Sequence, residues 1–371
     1  MGKVIYFSHS GFEHLTKNIY GYSIKEFKAV KKLDEGIMPW NTADKHARKF
    51  IHSDGDYIDC SGNSGNARIA FWGEWEQQSS FKKTKGTSPV RIHRPICERT
   101  EIIESIESGK PFDEEFIIKC LEFYERKQNT DPYVFGDAFY YSCCQQTITN
   151  RKTKKQVPHK TLIDLEPGDM ILFVSVKAKE SEKEESVKVK EAKKEGSEKG
   201  EKGERKKGIV VLDTVFVVGG TVLPKKKVYR DELENLRDKV SPQYLGGVIL
   251  PICFGNRGSL SEEPSVYTLY RAAMYNDNEK PKNEMFSFFP CKKAESGKGF
   301  ERYVLYDKET GEGLGRTVNA QGIVKGKKDE KDGDSYSFWK MLKQDILDKG
   351  YLLGVKANEP EFTEVNADAV K

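Results

Sequence analysis

The sequence predicts an α+β protein, on three observations. Two apolar, β-branched runs at 170–176 and 209–218 read as buried strands. Near the C-terminus, Phe338, Trp339, Leu342, Ile346 and Leu347 recur at helical spacing as one apolar stripe. An aromatic content of 11% within 37% hydrophobic residues supports a packed core over 371 residues and excludes wholesale disorder, collagen-like and mucin-like classes. The expected organisation is a single domain over 1–358 with a mobile insertion at 177–208, followed by an acidic, disordered tail at 359–371.

In chain order, the β-branched and aromatic stretch 4–8 suits an opening strand. Thr42 and Asp44 open a helix over 46–50, and the Gly- and Asp-rich stretch 52–66 reads as turn or loop. Residues 68–76 read as a strand leading into an aromatic turn. Stretches 100–107 and 112–126 read as helices, the second started by Asp113. Pro167-Gly168 makes a tight turn into the strand at 170–176. Between that strand and 209–218 lies a Lys/Glu/Gly/Ser tract that cannot bury enough surface to offset its ordering entropy, so the two strands pair around a solvated loop. A short helix over 231–239, a strand over 247–252, packed backbone at 286–291 and a strand at 302–306 follow, with 265–275 open between helix and strand. Ser335 caps the C-terminal helix, Gly350 ends it, and 351–355 resumes as a strand.

Of 62 basic and 58 acidic residues, 12 and 9 fall in the insertion, which leaves 50 against 49 elsewhere. No net basic charge marks the folded part as a duplex-gripping surface. The N-terminus lacks a basic region followed by an apolar stretch, and the apolar run at 209–220 is interrupted by Asp213 and too short to cross a bilayer. The 7 cysteines are scattered, with Cys143-Cys144 adjacent. The expectation is a cytoplasmic protein with reduced thiols and no membrane partner.

Catalytic and cofactor signatures are weak. Ser296-Gly297-Lys298-Gly299 lacks the upstream glycine and the hydroxyl of a phosphate loop, and Gly311, Gly313 and Gly315 have Arg316 where a dinucleotide fingerprint needs glycine. Cys143-Cys144 has no second cysteine pair to complete a zinc site, with His93 and Cys97 as the best remaining candidates. Asp54, Asp56 and Asp59 suit either a solvated turn or, with Glu74 or Glu76, a divalent-metal site. Ser142 or Cys143 with His93 or His159 has nucleophile and base types, but nothing in the sequence shows that they meet, and His9 and His14 have no partner in sequence. No cofactor or bound metal is expected. What stands out is aromatic: Phe71-Trp72-Gly73-Glu74-Trp75 and Phe139-Tyr140-Tyr141-Ser142-Cys143-Cys144-Gln145-Gln146 place rings beside carboxylates and amides. Such residues fill ordinary cores, and they also make flat walls and polar edges for a nucleobase.

The stretch from Leu165 to Phe173, with its Gly168-Asp169 turn, followed after the insertion by the run from Ile209 to Val218, resembles the heart of a PUA-like barrel of the ASCH, EVE and YTH type. The segments at 71–76, 140–146, 168–173, 212–218 and 285–291 are similar in style to bacterial and phage proteins grouped as nucleotide-modification-associated domains. The resemblance implies a central, partly closed β-barrel with flanking helices that binds RNA or DNA, in some members holding a modified base in an aromatic cage. It makes Trp72, Trp75, Tyr140 and Tyr141 the cage candidates, with Gln145 and Asp213 as edge-reading groups. The expected function is binding of nucleic acid or a nucleotide. The alternatives are a metal-dependent enzyme acting on nucleotides or nucleic acid, and an interaction component of a bacterial defence or DNA-modification system.

Overall fold

The computed structural model describes residues 2–9, 35–38, 48–74, 79–83, 91–95, 100–123, 131–142, 146–150, 152–153, 156–178, 208–227, 229–256, 259–260, 266–277, 284–295, 301–318, 322–326 and 334–359. Within them lie two seven-stranded sheets. The first runs, in spatial order, β17 (Gly322–Lys325), β1 (Val4–His9), β10 (Met170–Ala178), β11 (Gly208–Lys227), β14 (Val266–Ala272) and β7 (Tyr140–Tyr141), with β16 (Val304–Asp307) also on β11. The second runs β18 (Leu352–Ala357), β15 (Phe289–Lys293), β4 (Ser64–Glu74), β3 (Arg48–Ile58), β6 (Arg91–Pro95), β5 (Ser79–Lys83) and β2 (Glu35–Met38). Two small hairpins, β8 (Thr147–Thr149) with β9 (Gln156–Pro158) and β12 (Gly255–Asn256) with β13 (Ser259–Leu260), sit apart. The helices are α1 (Thr100–Glu107), α2 (Glu114–Phe123), α3 (Lys160–Ile163), α4 (Arg230–Glu234), α5 (Pro242–Tyr244), α6 (Leu250–Phe254) and α7 (Ser335–Asp348). None of the described helices is long and apolar enough to cross a membrane.

The strands of the first sheet read as continuous apolar runs because both of their faces are buried. Ile5, Phe7, Ile171, Phe173, Phe216 and Val218 enter one core, with α1, α2, α5 and α6. Val4, Tyr6, Met170, Leu172, Val215 and Val217 enter the other, with the apolar stripe of α7. β1 lies parallel to β10 from Val4↔Met170 to His9↔Ser175. The Gly168-Asp169 turn holds it there: the Lys3 amide donates to Asp169 Oδ1 at 2.7 Å, the Glu166 amide donates to Oδ2 at 3.0 Å, and Gly168 takes a φ of +89°. β10 and β11 pair antiparallel out to Ala178↔Gly208, so the charged insertion joins the ends of a hairpin; residues 179–207 lie outside the described residues.

β11 is 20 residues long and serves several partners. Opposite β10, Phe173 faces Thr214 while Val174 faces Leu212, so Asp213 is the extra residue of a β-bulge. On its other edge β11 pairs with β16 at 209–211, bridges Phe288 at Val215, and joins β14 from Val218 onward. The bulge turns Asp213 inward onto Arg302, and both side chains are 2% exposed. Ser175 Oγ donates to Asp213 Oδ2 at 3.0 Å and accepts from Arg302 at 3.1 Å.

In the second sheet β18 also pairs with β3, which closes β3, β4, β15 and β18 into a four-stranded ring. Closure depends on Gly55, where a Cβ would come within 2.2 Å of the Lys356 carbonyl oxygen, and Gly65 likewise clears the Tyr57 ring. These glycines are the reason 52–66 is not the expected loop. β3 and β4 are a long hairpin, and the turn is confined to 59–63, where Asp59 Oδ1 accepts from the Ser61 and Asn63 amides.

Other expectations are corrected. Residues 48–50 of the helix expected over 46–50 belong to β3, and residues 46–47 with the expected start at Thr42 and Asp44 lie outside the described residues. Residues 247–252 are not a strand: a π-helical turn, Leu245–Ile249, runs from α5 into α6, because Ser241 caps and Pro242 starts the helical course. The helix expected over 231–239 regularly spans Arg230–Glu234 only. The cap of α7 is Asp334, which accepts from the Ser337 amide at 3.1 Å, while Ser335 Oγ donates to the Gly168 carbonyl. Asp113 does start α2, accepting from the Phe116 amide at 2.8 Å, and Gly350 ends α7 at a φ of +76°. The strands β10 and β11 that carry the barrel resemblance belong to the first sheet, which does not close among the described residues; the closed ring is built from other strands. Residues 360–371 of the acidic tail lie outside the described residues.

Replacing Asp213 by Ala leaves a buried guanidinium without its carboxylate and is expected to destabilise the fold by about 3–5 kcal/mol, read from urea denaturation. The double variant Asp213→Leu/Arg302→Met, which removes both charges, is expected to recover most of that loss. A single-variant loss below about 1 kcal/mol contradicts the assignment.

Candidate functional site

The site candidates from the sequence gather at two places. Trp72 and Asp213 meet at Arg302: the guanidinium carbon lies 5.4 Å from the Trp72 ring centroid, and Trp72 is 5% exposed. Tyr140 and Tyr141 form β7, paired with Tyr270 and Arg271 of β14. The Tyr140 ring stacks on Tyr244 (5.4 Å, 17°), and its hydroxyl donates to the Lys239 carbonyl. The Tyr141 ring lies parallel to Tyr270 (6.2 Å, 8°) and edge-on to Phe7 (6.0 Å). The ring partners of the two tyrosines thus differ from that of Trp72. Trp75 and Gln145 lie outside the described residues, as do Cys143, Cys144, Cys97, His14 and Glu76.

Polar side chains surround the segment that continues from β7. Ser142 is fully buried; its amide donates to Asp131 Oδ1 at 3.2 Å. The Tyr244 hydroxyl sits 2.8 Å from Ser142 Oγ and 3.3 Å from Asp131 Oδ1, and neither Asp131 nor Tyr244 is exposed. Gln146 imitates a neighbouring strand: its Nε2 donates to the Thr268 carbonyl at 2.7 Å, and its Oε1 accepts from the Thr268 amide at 2.8 Å. Its own carbonyl accepts from the His159 amide at 2.7 Å, so one residue ties β14 to the chain entering α3.

Beside this well-bonded frame are polar atoms without partners. His159 Nδ1 and Gln243 Oε1 are buried and have no hydrogen-bond partner among the described residues, while the Thr268 hydroxyl, outside hydrogen-bond geometry with the rest, has the Tyr270 phenol beside it. Thr268 is 2% and Gln243 8% exposed, whereas His159 is partly exposed. Each of these residues is linked to a described part of the segment by a backbone bond or by a chain neighbour. Thr268 is clamped by Gln146, the His159 amide is bonded to Gln146, and Gln243 precedes the Tyr244 that stacks on Tyr140. Buried polar atoms are almost always satisfied in folded proteins, so each orphan calls for a partner outside the bonds described here. The sequence had offered His159 as a base for Ser142; Gln243 and Thr268 carry no signal there beyond a hydroxyl and an amide in apolar runs.

The described carboxylates of the metal alternative lie apart, and Glu76 lies outside the described residues. Asp54 pairs with Arg68 at 3.5 Å, Asp56 accepts from Asn66 at 2.6 Å, and Asp59 caps its turn. Glu74 faces Arg48 at the far end of the hairpin, six strand positions from the Asp54–Arg68 pair, or about 20 Å. No group of three or more His, Cys, Asp or Glu among the described residues is placed to hold a metal ion. Cys60, Cys120, Cys253 and Cys291 are thiols, and burial pushes the Cys291 thiol upward, away from reactivity.

Comparison with protein-family models, with curated protein sequences and with solved structures found no match to this chain.

Burial pushes the Tyr140 phenol up to about 12 from the ordinary 10.0. Above about pH 10 the unfolded chain ionises this phenol while the folded chain holds it neutral. Its contribution to stability is therefore full below about pH 10 and lost as pH rises toward about 12. Tyr140→Phe is expected to lose less stability over that window than the parent protein, in denaturant titrations at each pH; equal losses contradict the assignment.

Proposed function

We propose that the protein binds a nucleotide or a single base of nucleic acid, at a niche beside the Tyr140–Gln146 segment. The observation that carries this reading is that His159 Nδ1 and Gln243 Oε1, buried and without hydrogen-bond partners among the described residues, belong to residues tied to this aromatic segment, His159 by its amide bond to Gln146 and Gln243 as the neighbour of Tyr244. A base needs flat apolar surface and a few directed polar groups, and both residue types are here. In this reading Tyr140 and Tyr141 belong to the wall of the niche. Trp72 and Asp213 act at a distance by holding Arg302 and the bulge of β11. The PUA-like resemblance supports the same class of ligand, and the closed ring of β3, β4, β15 and β18 is the feature of the fold closest to its barrel.

Gln243→Leu separates binding from folding. Replacing a buried amide whose oxygen bonds nothing among the described residues by an apolar side chain of similar size is expected to leave stability unchanged or raise it by up to about 1–2 kcal/mol. The same change is expected to weaken ligand binding. Thermal shifts against nucleotides and short oligonucleotides, modified and unmodified, measure both: a ligand at 100 times its Kd adds about 2.7 kcal/mol to the folded state. No shift with any of them overturns the reading.

A further inference from the structure

Charge is unevenly placed along this chain. Between Asp137 and Asp164 there is no acidic residue, while Arg151, Lys152, Lys154, Lys155 and Lys160 are basic. The rest of the chain then has 57 basic against 58 acidic residues, so this one stretch carries more than the whole formal surplus of +4.

The basic stretch holds the β8–β9 ribbon and the entry to α3, and the ribbon forms a sheet of its own rather than joining either seven-stranded sheet. Its strands pair from Thr147↔Pro158 to Thr149↔Gln156. At the tip, Asn150 Oδ1 accepts from the Lys152 amide at 2.9 Å and from the Thr153 amide at 3.2 Å, and Lys152 and Thr153 are exposed. The root is fixed. Gln146, just before β8, clamps the Thr268 backbone of β14, and its carbonyl accepts from the amide of His159, just after β9. Lys160 follows and is also exposed. Arg151, Lys154 and Lys155 lie outside the described residues and enter the argument as sequence charge alone. Three strand residues rise about 3.3 Å each, which sets the tip about 10 Å from the root, one Debye length at about 0.1 M salt.

Several lysines elsewhere are engaged within the fold. Lys3 pairs with Asp169, Lys349 with Asp345 and Lys356 with Asp137, and Lys292 and Lys343 lie over the rings of Tyr351 and Trp339. Lys152 and Lys160 have no ion pair or ring contact among the described residues. Ammonium groups on an arm without carboxylates attract a polyanion, and neutralising its phosphates releases condensed counterions. Residues 149–155 include no apolar side chain that could enter a lipid layer. We propose that the β8–β9 ribbon, with the start of α3, is an arm that holds the phosphate backbone of a nucleic-acid strand. This rests on the reading above that a nucleotide or base is bound beside Tyr140–Gln146, and it selects a strand over a free nucleotide as the ligand.

Fluorescence anisotropy with single-stranded DNA and RNA oligonucleotides, at salt from about 50 to about 200 mM, tests this on the parent protein and on Lys152→Gln/Lys160→Gln. Each cation that meets a phosphate of a single strand contributes about 0.7 to the slope of log K against log salt. The double variant is expected to lower the steepness by about 1.4 and to bind about tenfold more weakly near 0.15 M salt, and Lys152→Gln alone to lower the steepness by about 0.7. Both side chains are exposed, so the melting temperature is expected to stay at the parent value, and affinity for a nucleoside to change by less than about twofold. A change in steepness below about 0.5 in the double variant overturns the inference, while nucleoside binding by the same samples keeps the base-binding reading in place. Loss of binding to phosphatidylserine vesicles in the double variant, with oligonucleotide binding unaltered, overturns it in favour of a membrane surface. Failure of every nucleoside, nucleotide and oligonucleotide to bind the parent protein overturns both readings.

Discussion

The architecture turns on one residue out of step, Asp213. β11 is long enough to run past every neighbour it has, and it does not keep one partner along its second edge but takes β16, Phe288 and β14 in succession. The bulge makes that possible by bending the strand between its first and second partners. The ion pair with Arg302 fixes where the bend falls. Both faces of β10 and β11 are apolar and buried, so a slip of one residue would still bury greasy side chains, and the apolar pattern cannot select the register by itself. A carboxylate, a guanidinium and a serine hydroxyl that satisfy one another only in one alignment can. The desolvation of the two charges offsets much of their attraction, so the pair acts through specificity more than through net stability.

That register reaches the candidate niche by a short route. Past the bulge, β11 pairs with β14, β14 pairs with β7, and Gln146 then clamps the Thr268 backbone with both ends of its side-chain amide. Every step is a backbone ladder or an amide that imitates one, which leaves little freedom for the rings of Tyr140 and Tyr141. The bridge between Val215 and Phe288 also feeds straight into β15 of the closed ring, so the same stretch of β11 sets the relation of the two sheets. Trp72, on β4, meets that stretch at Arg302.

What the sequence made legible were the elements whose signals are local. The Asp113 cap, the Gly168 turn, the Phe338–Leu347 stripe and the apolar runs of β10 and β11 were each readable from a few adjacent residues. The failures share one physical origin, which is that the deciding partner is far away in the chain. Gly55 and Gly65 look like turn residues, yet they are small because β18 and the Tyr57 ring press on them. Residues 247–252 are apolar and β-branched enough for a strand, but Ser241 and Pro242 had already started a buried helical course. The same limit applied to the site. Trp72 and Asp213 were singled out as ligand readers and do come together, through an arginine 89 positions away from Asp213 that no local pattern connects to them. Tyr140 and Tyr141 were visible as rings, but their partners Tyr244 and Tyr270 were not.

The polar groups around Asp213 and around Gln146 differ in what they hold. Around Asp213 the carboxylate meets the guanidinium and the serine bonds both, and the group fixes the bulge of β11. Around Gln146 the frame clamps the backbone of β14, and residues linked to it carry an amide oxygen (Gln243) and a ring nitrogen (His159) with nothing to bond among the described residues. An apolar residue of similar size at Gln243 would avoid burying an amide oxygen unsatisfied within the described fold, so the amide costs stability there. That cost is the physical ground on which the proposed ligand reading rests.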